Sequence, residues 1–227
     1  MNTLIVCATK EQDPTKTLLY ESLKPLKEKG IKFHAEFHTS NSRGLSKVYN
    51  DAIYNDISKN SAWHDCYVFV HDDVYIDDAF VFDKIEDSFQ EYDILGVAGA
   101  SNPEIKSPAL WHLMTKREEW RGAAGHFSPD NSQIAITSFG PMPAKVDILD
   151  GVFLAVNREK IIKADWKFNE NYTFHHYDIA STLDAKKKDL RCGVVPIHII
   201  HKSPGLRDIN DPVFQESQRK FLQEYKA

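Results

Sequence analysis

The five residues Cys66-Tyr67-Val68-Phe69-Val70 form an unbroken apolar run that stops at His71-Asp72-Asp73. A run this short, with no polar alternation, fits a strand buried on both faces inside a sheet. Two adjacent carboxylates at the mouth of such a strand repel each other. Holding them there costs free energy unless a cation or a hydrogen-bond network offsets it. Hard divalent cations take oxygen ligands, often one or two carboxylates together with substrate phosphates. Asp also favours turns and helix caps, so the local pattern leaves both readings open.

The flanking sequence alternates between strand-like and helical patterns. Leu4 to Ala8 reads as a buried strand, and Thr15 to Lys29 as a helix with Leu18, Leu19, Leu23 and Leu26 at helical spacing, capped at Gly30. Ile31 to Phe37 reads as a strand, Ser46 to Ile57 as a helix, Phe80 to Phe89 as a helix and Ile94 to Ala98 as a strand. Further on come a strand over Asp147 to Asn157, a helix over Asp178 to Lys188, a strand over Gly193 to Ile200 and a helix over Asp211 to Tyr225. This alternation implies an α/β fold, with a mostly parallel central sheet flanked by helices on both faces. Ligands of such sheets bind beyond the carboxyl ends of the strands, where His71-Asp72-Asp73 falls. Ser101 to Lys145, rich in Gly, Pro, Ser and Asn, reads as a long loop that serves as a lid or binding element. One domain over residues 1–227 is the simplest division.

Composition narrows the function classes. Lys and Arg number 28 against 33 Asp and Glu, a net charge of −5, which argues against nucleic acid as the main partner. The three cysteines, Cys7, Cys66 and Cys192, are far apart and form no CxxC pair. Structural zinc and a disulfide framework are both poor fits, and a reducing compartment is expected. The N-terminus runs straight into a strand with no basic leader, and no stretch approaches the ~18 apolar residues of a membrane span. A cytoplasmic protein is expected, peripheral if it works at a membrane.

Other segments carry candidate chemistry. Asp77-Asp78 reads as a cap before the Phe80 helix. Asp150-Gly151 before an apolar run is either a tight turn or an acidic group with close backbone approach at Gly151. Asp178 opens a helix, as a cap or as a general base. His198 and His201 stand three apart on a strand and so face opposite sides, which leaves His201, at the strand end, as the candidate ligand.

Taken in order, these segments resemble the GT-A (Rossmann-like) glycosyltransferases of family 2, in particular bacterial-type members with HDDV in place of the D-x-D triplet. The resemblance runs from Leu4 to about Gly205. Asn41-Ser42-Arg43-Gly44 through Asn50 is similar to the family's N-x-x-G…N segment, and Phe69 to Val74 to its metal motif. The resemblance implies a metal-dependent, inverting glycosyltransferase of the hexosyl type or similar. It would use Mn2+ or Mg2+, a UDP-, dTDP- or GDP-sugar donor, and a glycan, lipid-linked or other hydroxyl acceptor. Residues 1–100 then form the nucleotide-binding half and 101–227 the acceptor-side half. The implied base is Asp178. Asp73 and His201 are the implied metal ligands, with Asp72 on the ribose or donor sugar. Ala8, Thr9, Asn41, Arg43, Gly44, Lys47 and Asn50 are the implied donor-pocket residues, and Asp150, Gly151, Trp111 and Trp120 (with His126) the acceptor side, although either Trp in a long loop can equally belong to a satellite core. Tyr177 departs from the family's Glu before the base. Glu36 and His38 are the available substitutes for the usual acidic residue after the second strand. The competing readings are a metal-dependent hydrolase of phosphoesters or nucleotide-sugars, with His71, Asp72, Asp73 and His201 as ligands, and a non-catalytic nucleotide- or carbohydrate-binding module.

Overall fold

A computed structural model describes residues 1–58, 64–128, 133–202 and 208–226. In chain order the elements are β1 (Thr3–Ala8), α1 (Leu18–Glu28), β2 (His34–His38), α2 (Leu45–Ser58), β3 (Cys66–Val70), β4 (Val74–Ile76), α3 (Val81–Ser88), β5 (Ile94–Gly96) and β6 (Ala98–Ala100). There follow β7 (Trp120–Phe127), β8 (Ile134–Gly140), β9 (Ala144–Val146), β10 (Ile148–Leu149), β11 (Phe153–Asn157), α4 (Arg158–Lys163), α5 (Tyr177–Lys187), β12 (Cys192–Val194), β13 (Ile199–His201) and α6 (Pro212–Tyr225).

The main sheet has the order β2-β1-β3-β11-β5-β12-β9. β2, β1, β3, β5 and β12 point the same way, and β11 and β9 run against them. Side-chain alternation along β1 and β3 sends successive residues into two separate cores. Leu4, Val6, Tyr67 and Phe69 pack with residues of α2 and α5 on one face. Ile5, Cys7, Cys66, Val68 and Val70 pack with residues of α1 and α3 on the other. All three cysteines are free and buried, as small core residues.

A second sheet, β10-β6-β7-β13-β4 with β8 paired to β7, stands beside the first. It overturns the expectation of a loop over Ser101 to Lys145. The β7–β8 pair spans much of that segment, and β9 joins the main sheet. The buried positions of β7 are Gly122, Ala124 and Gly125. Side chains that small carry no hydrophobic alternation, so the strand is specified by pairing with β6 and β13 instead. Residues 101–116 remain irregular. Residues 129–132, and the Ser203-Pro204-Gly205 end of the family resemblance, lie outside the described residues.

Most other elements fall within a few residues of expectation. The long strand read over Asp147 to Asn157 is two strands, β10 and β11, broken at Asp150-Gly151, and Gly193 to Ile200 likewise divides into β12 and β13. Helix α1 is capped by Thr17, whose hydroxyl accepts from the Tyr20 N–H at 3.1 Å.

Two glycines separate backbone strain from steric exclusion. Gly30 (φ +76°) has open space around a would-be Cβ, whereas at Gly122 (φ +106°) the Cβ would sit 2.0 Å from the Val97 carbonyl oxygen. Gly30→Ala should cost about 1 kcal/mol, the left-handed penalty alone. Gly122→Ala should cost more, about 3 kcal/mol, because backbone must also move. Urea unfolding of both variants checks the ranking.

Candidate functional site

The site is organised by the turn after β3. The His71 N–H donates to the Val152 carbonyl at 3.2 Å, the Leu19 N–H to the Asp72 carbonyl at 3.2 Å, and the Lys202 N–H to the Asp73 carbonyl at 2.9 Å. Three distant segments therefore fix three successive residues. Asp72 and Asp73 sit in the turn itself and point to different places.

Asp72 faces an open cleft of about 510 Å3, where its carboxylate accepts a short hydrogen bond from the Thr9 hydroxyl. Ala8, Thr9, Lys10, Asn41, Arg43 and Gly44 line the same cleft, with Thr173 and Phe174 opposite. The Asn41 N–H donates to the Thr9 carbonyl at 2.8 Å, and the Asn41 side chain bonds both backbone groups of Arg43. A Cβ on Gly44 would lie 2.8 Å from Thr173 Cα. Glycine there lets the start of α2 close against the chain that carries Phe174, whose ring is 57% exposed. Lys47 and Asn50 are expected donor residues that do not line the cleft. Lys47 points outward toward Asp51 and Glu170. The Asn50 amide is spent on both backbone groups of Phe168 and on Glu170. Successive turns of α2 carry both away from the helix start. Glu36 and His38 do not line the cleft either.

Asp73 faces the second sheet. Antiparallel pairing sets His201 opposite Val74, which brings His201 Nε2 to 3.2 Å from Asp73 Oδ1. His71 joins them, and one ligand atom from each of His71, Asp73 and His201 lies within 4.8 Å of the others. Burial raises the Asp73 pKa, but His201 and His71 outweigh it and hold the carboxyl below its ordinary value. Burial holds His71 below the ordinary histidine value, toward its neutral form. Asp73 Oδ1 is buried, and its 3.2 Å contact with His201 Nε2 falls short of hydrogen-bond geometry. A carboxylate oxygen with spare lone pairs beside two imidazoles is a donor set that fits a divalent cation, with sites left over for phosphate or water. His198 faces away, 3.2 Å from Asp77. Asp78 accepts from the Phe80 N–H at 3.0 Å ahead of α3, consistent with a local structural role.

The third group surrounds the β10–β11 break. The Gly151 N–H donates to Asp178 Oδ2 at 2.7 Å, and the Gly151 carbonyl accepts from the Tyr177 hydroxyl at 2.8 Å. A Cβ at Gly151 would lie 2.3 Å from that hydroxyl oxygen and 2.9 Å from Asp178 Cβ. Asp178 keeps a partial opening to solvent. Desolvation first, and the Asp150 charge second, push its carboxyl up to about 7. Its chain is held by His176, two residues earlier, at φ +64°. The His176 ring stacks on Phe221 of α6 and lies 2.8 Å from the Ser217 hydroxyl.

Asp150 accepts from the Trp111 indole N–H at 2.9 Å and from the Val152 N–H at 2.9 Å. Trp111 is 8% exposed and packs against Trp120 and Phe139. It is a core residue that holds Asp150, with little ring face left for a ligand. Trp120 is half-buried under the Arg117 guanidinium, 4.6 Å from its ring centre. His126 stands beside His201, with ring centres 6.4 Å apart.

The resemblance names neither His71 among the ligands nor Lys10, Thr173 and Phe174 at the cleft, where the structure places them. His71 adjoins the acidic pair and was legible as a ligand type. Thr173 and Phe174 reach the cleft through tertiary contacts with the start of α2, among them Gly44 against Thr173 and the Leu45 N–H donating to the Thr173 carbonyl at 2.6 Å.

The Glycosyltransferase like family matches this chain over residues 5–225. No curated protein matches its sequence significantly. Among solved structures, A197 from STIV is 12% identical with a TM-score of 0.52, covering 93% of this chain and 100% of that one. The catalytic domain of Drosophila beta1,4galactosyltransferase 7 is 10% identical with a TM-score of 0.53, covering 96% and 80%. At such identities the likeness is one of fold. The chain belongs to the Glycosyltransferase like family and has the fold of GT-A glycosyltransferases.

Proposed function

We propose that this chain is a single GT-A domain that transfers a sugar, with inversion, from a nucleotide-sugar to a hydroxyl acceptor. The observation that carries the reading is the Asp178 carboxyl, raised to about 7 and hydrogen-bonded into the break beside Asp150. A base is most effective when its pKa lies near working pH. Asp178 takes the proton of the acceptor hydroxyl. The acceptor oxygen bonds to the anomeric carbon as the bond to the nucleoside diphosphate breaks on the opposite face, and the electron pair leaves with the diphosphate. The cleft beside Thr9, Asn41, Arg43 and Asp72 holds the nucleotide, with Lys10 and Arg43 as its cations. His71, Asp73 and His201 would hold Mn2+ or Mg2+, which supplies Lewis-acid neutralisation of the leaving diphosphate. UDP-, dTDP- and GDP-sugars are the donor classes, and a glycan or lipid-linked glycan the acceptor class. Among the described residues a single three-ligand group gathers, which disfavours a two-metal hydrolase. No described helix is long and apolar enough to cross a membrane.

Asp178→Asn should lower kcat by more than about 100-fold, within the range of general-base catalysis, while nucleoside diphosphate affinity stays within about 3-fold. Near-normal turnover would remove Asp178 as the base. In wild type, kcat/KM should rise with pH through about 7 as this carboxyl ionises.

The same group makes a stability prediction. Its folded-state pKa lies above the unfolded value, so the folded chain holds the extra proton between about pH 4 and 7. Stability from this group is complete below that window and is lost as pH rises through it. Asn does not ionise, so Asp178→Asn should gain roughly 1–3 kcal/mol over wild type between pH 4 and pH 8, read by denaturant unfolding at both.

For the donor, melting temperatures with UDP, dTDP or GDP and Mn2+ should rise by several degrees for one nucleotide. The metal-dependent part should vanish in Asp73→Ala. A shift indifferent to Mn2+ in both proteins would remove the cation from the mechanism, and binding without turnover over a broad acceptor panel would favour a binding module.

A further inference from the structure

Tyr177 occupies the position where the family resemblance calls for a glutamate, and its surroundings show what a phenol does there. The side chain is 2% exposed. Its oxygen lies 2.8 Å from the Gly151 carbonyl oxygen and 3.0 Å from His71 Nε2. A carbonyl only accepts, so the phenol's one proton goes to Gly151. The contact with His71 then needs its proton from the imidazole, which makes Nε2 the protonated nitrogen. A neutral imidazole with Nε2–H has its lone pair on Nδ1. The Tyr49 hydroxyl, on a ring 6.0 Å from that of Tyr177, has no hydrogen-bond partner among the described residues and does not compete with Gly151 for the proton.

We propose that Tyr177 is a positioning residue that fixes the tautomer of His71, so that the imidazole presents Nδ1 to a divalent cation shared with Asp73 and His201. The proposal rests on the cation reading given above. A ligating imidazole is commonly oriented by an acceptor on its other nitrogen, and losing that acceptor weakens metal affinity roughly 10–100-fold. The acceptor here is unusual in that it is itself anchored. Gly151 accepts from Tyr177 through its carbonyl and donates to Asp178 through its N–H. One residue without a side chain thus ties the His71 ring to the candidate base. A glutamate at position 177 would bring a further negative charge beside Asp150 and Asp178, and as a carboxylate it could not donate to the Gly151 carbonyl.

The test uses the full chain, with Mn2+ alone as the probe. Long-range 1H–15N correlation on metal-free wild type should show His71 protonated at Nε2 and bare at Nδ1. The Nδ1–H form would overturn the proposal. Mn2+ titration followed by electron paramagnetic resonance should then show affinity reduced roughly 10–100-fold in Tyr177→Phe. The comparator is Tyr67→Phe, which removes another buried hydroxyl, bonded to Asp56 at 2.8 Å, and should bind Mn2+ as wild type does. Equal Mn2+ affinity in wild type and Tyr177→Phe would sink the Tyr177 role and leave the cation reading standing. Equal weakening in both variants would mark the effect as general destabilisation and also sink it. No Mn2+ binding by wild type would overturn the cation reading and this proposal with it.

Discussion

Five consecutive buried side chains commit β3 to the middle of the sheet, and the geometry of the site follows from where that strand must end. Cys66 to Val70 are fully enclosed, with alternate residues in two separate cores. Burying a side chain of this size contributes roughly 1.5–3 kcal/mol. Sliding the strand by one residue would exchange the contents of both cores and draw His71 inside. The chain therefore emerges from the sheet at His71-Asp72-Asp73. Backbone bonds to Val152 just before β11, to α1 and to the residue after β13 hold the turn. That leaves the side chains free to face a ligand.

Three carboxylates lie close to this turn, and their environments divide the work. Asp72 opens onto the cleft with Thr9 as a partner. Asp73 has two imidazoles nearby and stays ionised. Asp178 is desolvated and faces Asp150, so its pKa rises. The same residue type thus serves one place that favours binding positive charge and another that favours holding a proton. Neighbouring charge and solvent access set the difference.

Much of the first half was legible in the chain. Runs such as Leu4 to Ala8 and Cys66 to Val70, and the leucine spacing before Gly30, report which faces are buried, and burial is what periodicity encodes. The β7–β8 region was not legible. Its buried positions are Gly and Ala, chosen for close backbone approach, and they resemble loop composition. The site was legible in part. Asp72, Thr9, Asn41, Arg43 and Gly44 meet at one cleft, but Lys47 and Asn50, from the same segment, do not. Helical rotation carries them off the side that faces the cleft. For Trp111 the sequence leaves a sugar platform and a satellite-core residue both open, because an aromatic in a polar segment has no visible partner in sequence. Trp120, Phe139 and Asp150 provide partners from distant parts of the chain.

The alternation of strands and helices, the strand end that carries the acidic pair, and the order in which the chemical groups arrive can all be read along the chain. Those are local properties, carried by spacing along a few turns or a few pleats. Only the tertiary contacts turn Asp72 to the cleft and Asp73 to the second sheet, and bring His71 to Asp73 and His201. They also close Tyr177 and Asp178 onto Gly151 and raise the Asp178 carboxyl to about 7. Each of these joins residues far apart in the chain through strand register, a missing side chain or exclusion of water, and no local pattern reports such contacts.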